Sequence, residues 1–530
     1  MIKDFISWSH ELNHSFHIII YLIIPITQSS KTTHYLLLMM MLTFLILIPL
    51  IGAAIIAFLP KQLNPYQSRF LASGIGGATF FYSLFLVTQY NYQGQGFQLT
   101  EFHTWLDAVN LNYNIGIDGL SFPLVILNTF LIWTAIYSSD LESEGGKSLN
   151  RPRFYYSLML ILGACINGAL LSQNLLLFFI FYEIKLVPTY LLINIWGGKN
   201  GGYAATKYLL YTAFSGIFVL AGFLGLGFLS GSGFDYTEIN SQLLPQTKQI
   251  ILLITLIIGF AIKIPLVPLH TWLPDAYTEA SAPVSMILGG ILSKLGAYGL
   301  IRFCLGLFPG VWQDIAPYLA LTALISSLLT SCIAIAQKDL KRMIAYSSIA
   351  HIAFVVLATA AGTELSILGA ICQMFAHGLI VALLFNLVGI VESKTGSRDI
   401  TILKGLMNPH RGLPLTGGLM ILGVMASAGI PGMVGFIGEF ISFQGSFTVF
   451  PLYTLLSLIA TGLTAVYFVI LLNNVFFGRI DCREKNLPYI LPKVQLSERV
   501  PGLVLASLII ILGLQPTWLT KLSVISFFNQ

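Results

Sequence analysis

G-F-A-I-K-I-P-L-V-P-L-H-T-W-L-P-D-A-Y, residues 259–277, sets a lysine inside an apolar run and then interrupts that run with prolines. Pro265 and Pro268 lack the amide hydrogen that a helix needs, so the backbone ladder breaks beside Lys263. At membrane depth such a break survives only where protein or water satisfies the freed carbonyls. A second stretch, S-A-G-I-P-G-M-V-G-F-I-G-E-F at 427–440, has the same character: Gly429, Pro431 and Gly432 interrupt a helix and Glu439 follows. Lys263 and Glu439 each follow a Gly-Phe pair at the same spacing and lie 176 residues apart. Ionisable groups in hydrocarbon are expensive and point to function. Interrupted membrane helices in corresponding positions of two halves point to an ion path.

The rest of the chain supplies the membrane. Of its 530 residues, 56% are hydrophobic and 9% charged, where a soluble domain carries about 25% charge. Apolar stretches recur near the roughly 20 residues that cross a bilayer. They predict fourteen helices: 36–59, 70–89, 116–138, 153–171, 174–196, 203–230, 250–268, 283–305, 315–336, 341–360, 366–391, 413–440, 449–477 and 499–519. Residues 1–35, with a short apolar run at 16–27, form an N-terminal extension. Residues 36–138 are the first three helices. Two units of five helices follow, 153–305 and 315–477, and 499–519 is the last helix. An odd number of crossings per unit makes the repeats inverted. The predicted fold class is therefore an all-α polytopic membrane protein with two broken helices.

Lysine and arginine set the sides. Eighteen of the 27 fall on alternate loops and their flanks, among them Q-K-D-L-K-R at 337–342. Five, Lys3, Lys31, Lys248, Arg302 and Lys521, fall on the opposite side. This bias puts both termini outside or in a lumen. The five cysteines form no C-x-x-C pair, which argues against iron–sulfur or structural zinc ligation by this chain. No GxGxxG or P-loop is present, so any coupled nucleotide reaction belongs to another subunit.

The intramembrane ionisable set is Glu183, Lys185, Lys207, Lys263, Lys294, His351, His377 and Glu439. An isolated pair merely joins helices, but a series through successive helices suits proton transfer. Lysine changes its proton affinity readily when desolvated, which suits Lys263 and Lys294. Lys207 is the expected partner of Glu183. Lys185, two places further on and about 200° round a helix, is expected to point elsewhere, either to a path or to a structural role. His351 and His377 offer a donor and an acceptor each, as a relay needs, although a lone buried histidine is commonly just hydrogen-bonded. His270 and Asp275 are expected at the inner entrance, where a simple surface cap is the other reading. H-T-W-L-P is not H-E-x-x-H, so a zinc hydrolase is rejected.

N-L-L-L-F-F-I-F-Y-E, G-F-A-I-K-I-P-L-V-P-L-H-T-W-L-P-D-A-Y-T-E-A-S-A-P-V, Q-K-D-L-K-R-M-I-A-Y-S-S-I-A-H and A-S-A-G-I-P-G-M-V-G-F-I-G-E-F together carry a resemblance across residues 36–520. The chain resembles the chain 4 family of photosynthetic complex I, which is related to the M subunit of respiratory complex I. H-T-W-L-P-D-A marks the wider antiporter-like superfamily, and Glu439, where other members carry lysine, favours this branch. The resemblance implies an antiporter-like fold of about 14 transmembrane helices. It implies a Glu183–Lys207 pair at one end of a channel, then Lys263, Lys294, His351, His377 and a terminal Glu439. It implies a non-redox subunit of a multisubunit NAD(P)H/ferredoxin:plastoquinone oxidoreductase in the cyanobacterial thylakoid. Plastoquinone, ferredoxin and iron–sulfur clusters would belong to partner subunits, and this chain would bind no cofactor. Neighbouring antiporter-like chains, a peripheral carbon dioxide hydration subunit and lipids are the implied partners, and nucleic acid is not. Lys185 and the N-terminal extension depart from the family pattern. A non-redox cation/proton antiporter subunit and a structural anchor for the hydration protein stay open beside this reading.

Overall fold

The computed structural model describes residues 40–58, 65–94, 96–139, 142–143, 147–479 and 491–524. The predicted N-terminal extension, with Lys3 and Lys31, lies outside the described residues, as does most of the basic loop before 499. The chain runs through α1 (Thr43–Phe58), α2 (Pro65–Val87), a hairpin of β1 (Gln98–Leu106) and β2 (Leu111–Ile117), α3 (Ser121–Ser138) and α4 (Pro152–Leu171). Next come α5 (Leu175–Ile184), α6 (Leu186–Trp196), α7 (Gly201–Ser230), α8 (Gln246–Lys263), α9 (Trp272–Glu279) and α10 (Ala282–Leu305). The last part is α11 (Pro309–Ile335), α12 (Leu340–Ala361), α13 (Glu364–Thr395), α14 (Pro414–Ser427), α15 (Val434–Phe447), α16 (Pro451–Val475), α17 (Leu496–Leu514) and α18 (Thr517–Leu522).

Among the described residues, twelve helices are long and apolar enough to cross a membrane, α5 with α6 counting as one; α1 and α14 are shorter apolar helices. Both proline breaks are present. The helix expected over 250–268 stops at Lys263 and resumes as α9 at Trp272. The helix expected over 413–440 divides into α14 and α15, and α15 runs on to Phe447. A third, smaller interruption falls between α5 and α6, where Pro188 cannot donate to the carbonyl of Ile184.

The loop expected over 90–115 is instead an antiparallel hairpin that delays α3 to Ser121. β2, L-N-Y-N-I-G-I, alternates polar and apolar residues along much of its length, and Asn110 takes the left-handed conformation that closes the turn. Glu101 on β1 is buried and accepts from Leu42 N at 2.5 Å and from Thr43 Oγ1, which fastens the hairpin to the start of α1. Burial pushes this carboxyl up, against the pull of the hydrogen bonds it accepts.

Burial sorts the helices into a core and a rim. α10 is wholly enclosed, and α12 and α13 are nearly so. α10 packs on both α8 and α13, and α12 packs on α13 and α15, so the two breaks reach one another through these central helices. The rim turns large apolar side chains outward, including Leu210, Phe214 and Ile217 on α7 and Leu455, Ile459 and Val469 on α16. Such faces suit lipid or a neighbouring membrane chain.

Candidate functional site

The first cluster forms where the break between α5 and α6 meets the break after α8. Lys263 is the last residue of α8, and its Nζ stands 2.7 Å from Glu183 Oε1. The amine also lies 3.5 Å from the centroid of the Tyr182 ring. Its side chain is 7% exposed and that of Glu183 22%. A buried ammonium with a carboxylate and an aromatic face is held without bulk water.

Lys207 is not the partner of Glu183. It donates to Asp275 Oδ2 at 2.7 Å, and Arg342 reaches the other oxygen of Asp275 at 3.2 Å. Geometry along α7 keeps Lys207 and Glu183 apart. A Cβ on Gly216 would fall 2.8 Å from Glu183 Cδ, so the carboxylate lies against Gly216. Lys207 and Gly216 are nine helical steps apart, an axial distance of about 13 Å, further than one lysine side chain reaches. Asp275 instead joins α7, α9 and α12 at a partly exposed junction. His270, expected beside it, is buried and packs edge-on to Tyr346, with ring centroids 6.3 Å apart.

Lys185 does not point away. The helix turns at this residue, and its buried amine comes back to donate to the carbonyl of Tyr182 and lies 3.7 Å from that ring's centroid. The 200° expectation assumed an unbroken helix, and the interruption ahead of Pro188 removes it.

The second cluster links α10 to the second break. Lys294 lies between two wider π-helical turns, Leu288–Leu292 and Leu300–Leu305, a feature common at functional sites. Its Nζ donates to the carbonyl of Gly289 and stands 2.9 Å from His377 Nδ1. The His377 and His351 rings lie 5.3 Å apart, centroid to centroid. His351 Nδ1 is 3.0 Å from Glu439 Oε1, and its Nε2 is 3.1 Å from Ser427 Oγ on α14. With the carboxylate ionised, His351 carries its hydrogen on Nδ1 and accepts from Ser427. With Lys294 donating to Nδ1, His377 carries its hydrogen on Nε2; that atom has no partner among the described residues. Glu439 is 6% exposed and lies against Gly429, whose positive φ of 69° marks the break.

Among the described residues, no three His, Cys, Asp or Glu side chains converge as a bound metal ion would require. Buried lysines and histidines in series, two carboxylates and two backbone breaks are what the chain brings together. A model of the NADH:quinone oxidoreductase/Mrp antiporter transmembrane family matches residues 172–464. NAD(P)H-quinone oxidoreductase chain 4 3 of Trichormus variabilis is 38% identical over 493 residues, covering 91% of this chain and 89% of that protein. The chain belongs to the NAD(P)H-quinone oxidoreductase chain 4 family. Chain 4 2 of Trichodesmium erythraeum is also 38% identical, over 84% of this chain and 80% of its own. Among solved structures, respiratory complex I from Thermus thermophilus with bound NADH contains a chain that superposes with a TM-score of 0.80 at 24% identity, covering 91% of this chain and 98% of that one. The Mrp complex from a Dietzia species gives the same TM-score at 20% identity, covering 92% and 96%. These likenesses show the antiporter-like fold.

This chain 4 relative also carries buried polar sites that the sequence reading passed over. Arg302, counted among the charges of the outer side, is buried in α10 and pairs with Asp118 at 2.5 Å, ringed by Phe97, Tyr236 and Tyr298. Asp235 is buried among the amides of Asn112, Asn114 and Asn174, at 2.6, 3.0 and 3.2 Å. Lys341, counted as an inner surface charge, is enclosed and pairs with Glu392 at 2.9 Å. Apolar flanks in L-I-R-F-C-L, and an aspartate immediately before α3, were the signals for the first of these.

Proposed function

We propose that this chain is a proton-translocating membrane-arm subunit of a multisubunit NAD(P)H/ferredoxin:plastoquinone oxidoreductase, coupling plastoquinone reduction elsewhere in the complex to proton movement. One observation carries the reading: two clusters of ionisable side chains, Glu183–Lys263 and Lys294–His377–His351–Glu439, lie in sequence along helices that pack on one another, α8 on α10 and α10 on α13. Membership of the chain 4 family supports the redox complex as its setting. Twelve long and two shorter apolar helices among the described residues support the proposed fourteen crossings, the two matching breaks support two inverted five-helix units, 153–305 and 315–477, and the lysine and arginine bias supports both termini on the lumenal side of a thylakoid membrane.

In this reading Glu183 stabilises the ammonium of Lys263. Drawing the carboxylate away lowers the proton affinity of that amine, and the proton passes on towards Lys294. His377 takes a proton at Nδ1 from Lys294 and gives one up from Nε2. His351 then passes charge to Glu439 through Nδ1. The Lys263–Lys294 and His377–His351 steps need side-chain rotation or a bridging water. His270 and Asp275 serve the inner entrance, where Lys207 answers to Asp275. The apolar rim takes neighbouring antiporter-like chains and lipid. A carbon dioxide hydration subunit is proposed as a peripheral partner, and deletion of this chain would then remove an inducible uptake activity while sparing respiration.

A non-redox cation/proton antiporter subunit is the second reading, favoured by the equal superposition on the Mrp complex. Lys263→Ala in the intact assembly tests the first. With subunit content normal, proton uptake per electron should fall sharply; unchanged pumping defeats the assignment. Sodium-dependent pH changes without electron transfer would establish the second.

A further inference from the structure

Two buried amines and one carboxylate meet at the first break. Lys263 takes Glu183 at 2.7 Å, whereas Lys185, also buried, has no carboxylate at ion-pair distance among the described residues. Both amines lie against the ring of Tyr182, at 3.5 and 3.7 Å from its centroid, so one side chain gathers the two nitrogens beside Glu183. The other groups on Lys185 are the Tyr182 carbonyl, the Glu183 charge and the Cys165 thiol of α4, while Tyr208 of α7 faces Glu183.

We propose that Lys185 is a second proton-bearing residue at this break, a positioning and storage site that shares one proton with Lys263. The inference rests on the proton-path reading above. Two ammoniums beside one carboxylate would leave a buried charge uncompensated, which a protein interior resists. The balanced state holds Glu183 ionised, one amine protonated and one neutral. A neutral lysine nitrogen accepts a hydrogen bond, so once side-chain rotation over the Tyr182 ring brings the ammonium and the amine together, a single N–H to N transfer exchanges the proton and changes no other bond. When Glu183 leaves Lys263, the Tyr182 carbonyl and ring hold the proton on Lys185.

A purely structural Lys185 would only fill the carbonyl at the helix break and lean on the ring. Arginine does both and keeps the charge, yet it does not release its proton. The test is proton uptake per electron in sealed vesicles carrying the whole assembled complex, measured across pH for wild type, Lys185→Arg and Lys185→Gln. Subunit content is measured first. Sharing predicts that Lys185→Arg loses roughly tenfold or more of the proton yield, in line with the loss of a proton-transferring side chain. It also predicts that Lys185→Gln keeps more yield than Lys185→Arg but shifts the pH profile. Lys185→Arg with wild-type yield and profile overturns the proposal. If the arginine variant does not assemble, a Lys185→Gln profile that superposes on wild type overturns it equally. Lys263→Ala in the same vesicles separates the two claims. If it pumps normally, the parent reading fails; if it fails to pump while both Lys185 variants behave as wild type, only the shared proton is lost.

Discussion

Lys263 and Glu183 stand 2.7 Å apart across the first pair of breaks, while Lys207, on the helix that packs over Glu183, is held by Asp275. Glu183 is therefore committed to the central lysine in this conformation. Glu183→Gln removes the counter-charge and leaves the ammonium of Lys263 to lose its proton. Breaking a buried pair costs about 3–5 kcal/mol, and the partial exposure of Glu183 places this one at or below the lower end. The complex should assemble with somewhat reduced heat resistance, and proton uptake per electron should fall about tenfold or more. A normal proton yield from assembled Glu183→Gln would remove the pair from the path.

Gly216→Ala separates geometry from stability. Its Cβ would meet Glu183 Cδ at 2.8 Å and both carboxylate oxygens at 2.9 Å. The obstacle is the free end of a side chain, so the carboxylate moves and the backbone stays. Alanine is the better helix former by roughly 1 kcal/mol, which offsets residual crowding. The expected outcome is normal assembly and normal quinone reduction with reduced proton yield, read from subunit content and proton uptake on one preparation. Loss of assembly would show that the backbone, not the carboxylate, yields.

Asp275→Asn releases Lys207 and Arg342 together. Both pairs are partly exposed, and exposed pairs contribute about 0–1 kcal/mol each, so thermal stability should barely change. The proton yield should fall several-fold if the uncompensated ammonium of Lys207 repels protons from the inner entrance. Lys207→Met added to Asp275→Asn should then restore part of it, a non-additivity expected only of coupled residues. A double variant no better than Asp275→Asn would make the junction a simple docking contact.

The two breaks were legible in the sequence because proline acts locally: Pro265, Pro268 and Pro431 disrupt a ladder whatever surrounds them. The buried ionisable series was legible because charge is rare in an apolar run. Pairing was not. Lys207 and Glu183 looked like partners by composition and order, but partnership depends on height along α7, which follows from where α5 crosses it. Lys185 was lost to an assumed continuous helix, although Pro188 stood three residues beyond it. Arg302 and Lys341 were placed by loop counting, and nothing local shows that Asp118 and Glu392 close over them.

Asp118 and Arg302 offer a prediction independent of pumping. The pair is nearly solvent-free and fastens the start of α3 to α10, with Asp118 also accepting from Ser121 N at 3.0 Å. Asp118→Asn leaves a guanidinium buried among Phe97, Tyr236 and Tyr298 without its counter-charge. Removing one member of a buried pair costs about 3–5 kcal/mol, whereas replacing both with apolar groups of similar volume is often neutral. Asp118→Asn should therefore lower the steady-state level of this chain and its melting temperature in detergent. Arg302→Met combined with Asp118→Leu should recover much of both. The recovery will be incomplete, because leucine cannot accept the hydrogen bond that Ser121 N gives Asp118. If the double substitution is as unstable as Asp118→Asn, which keeps an acceptor for Ser121 N, the lost cap of α3 costs as much as the stranded charge.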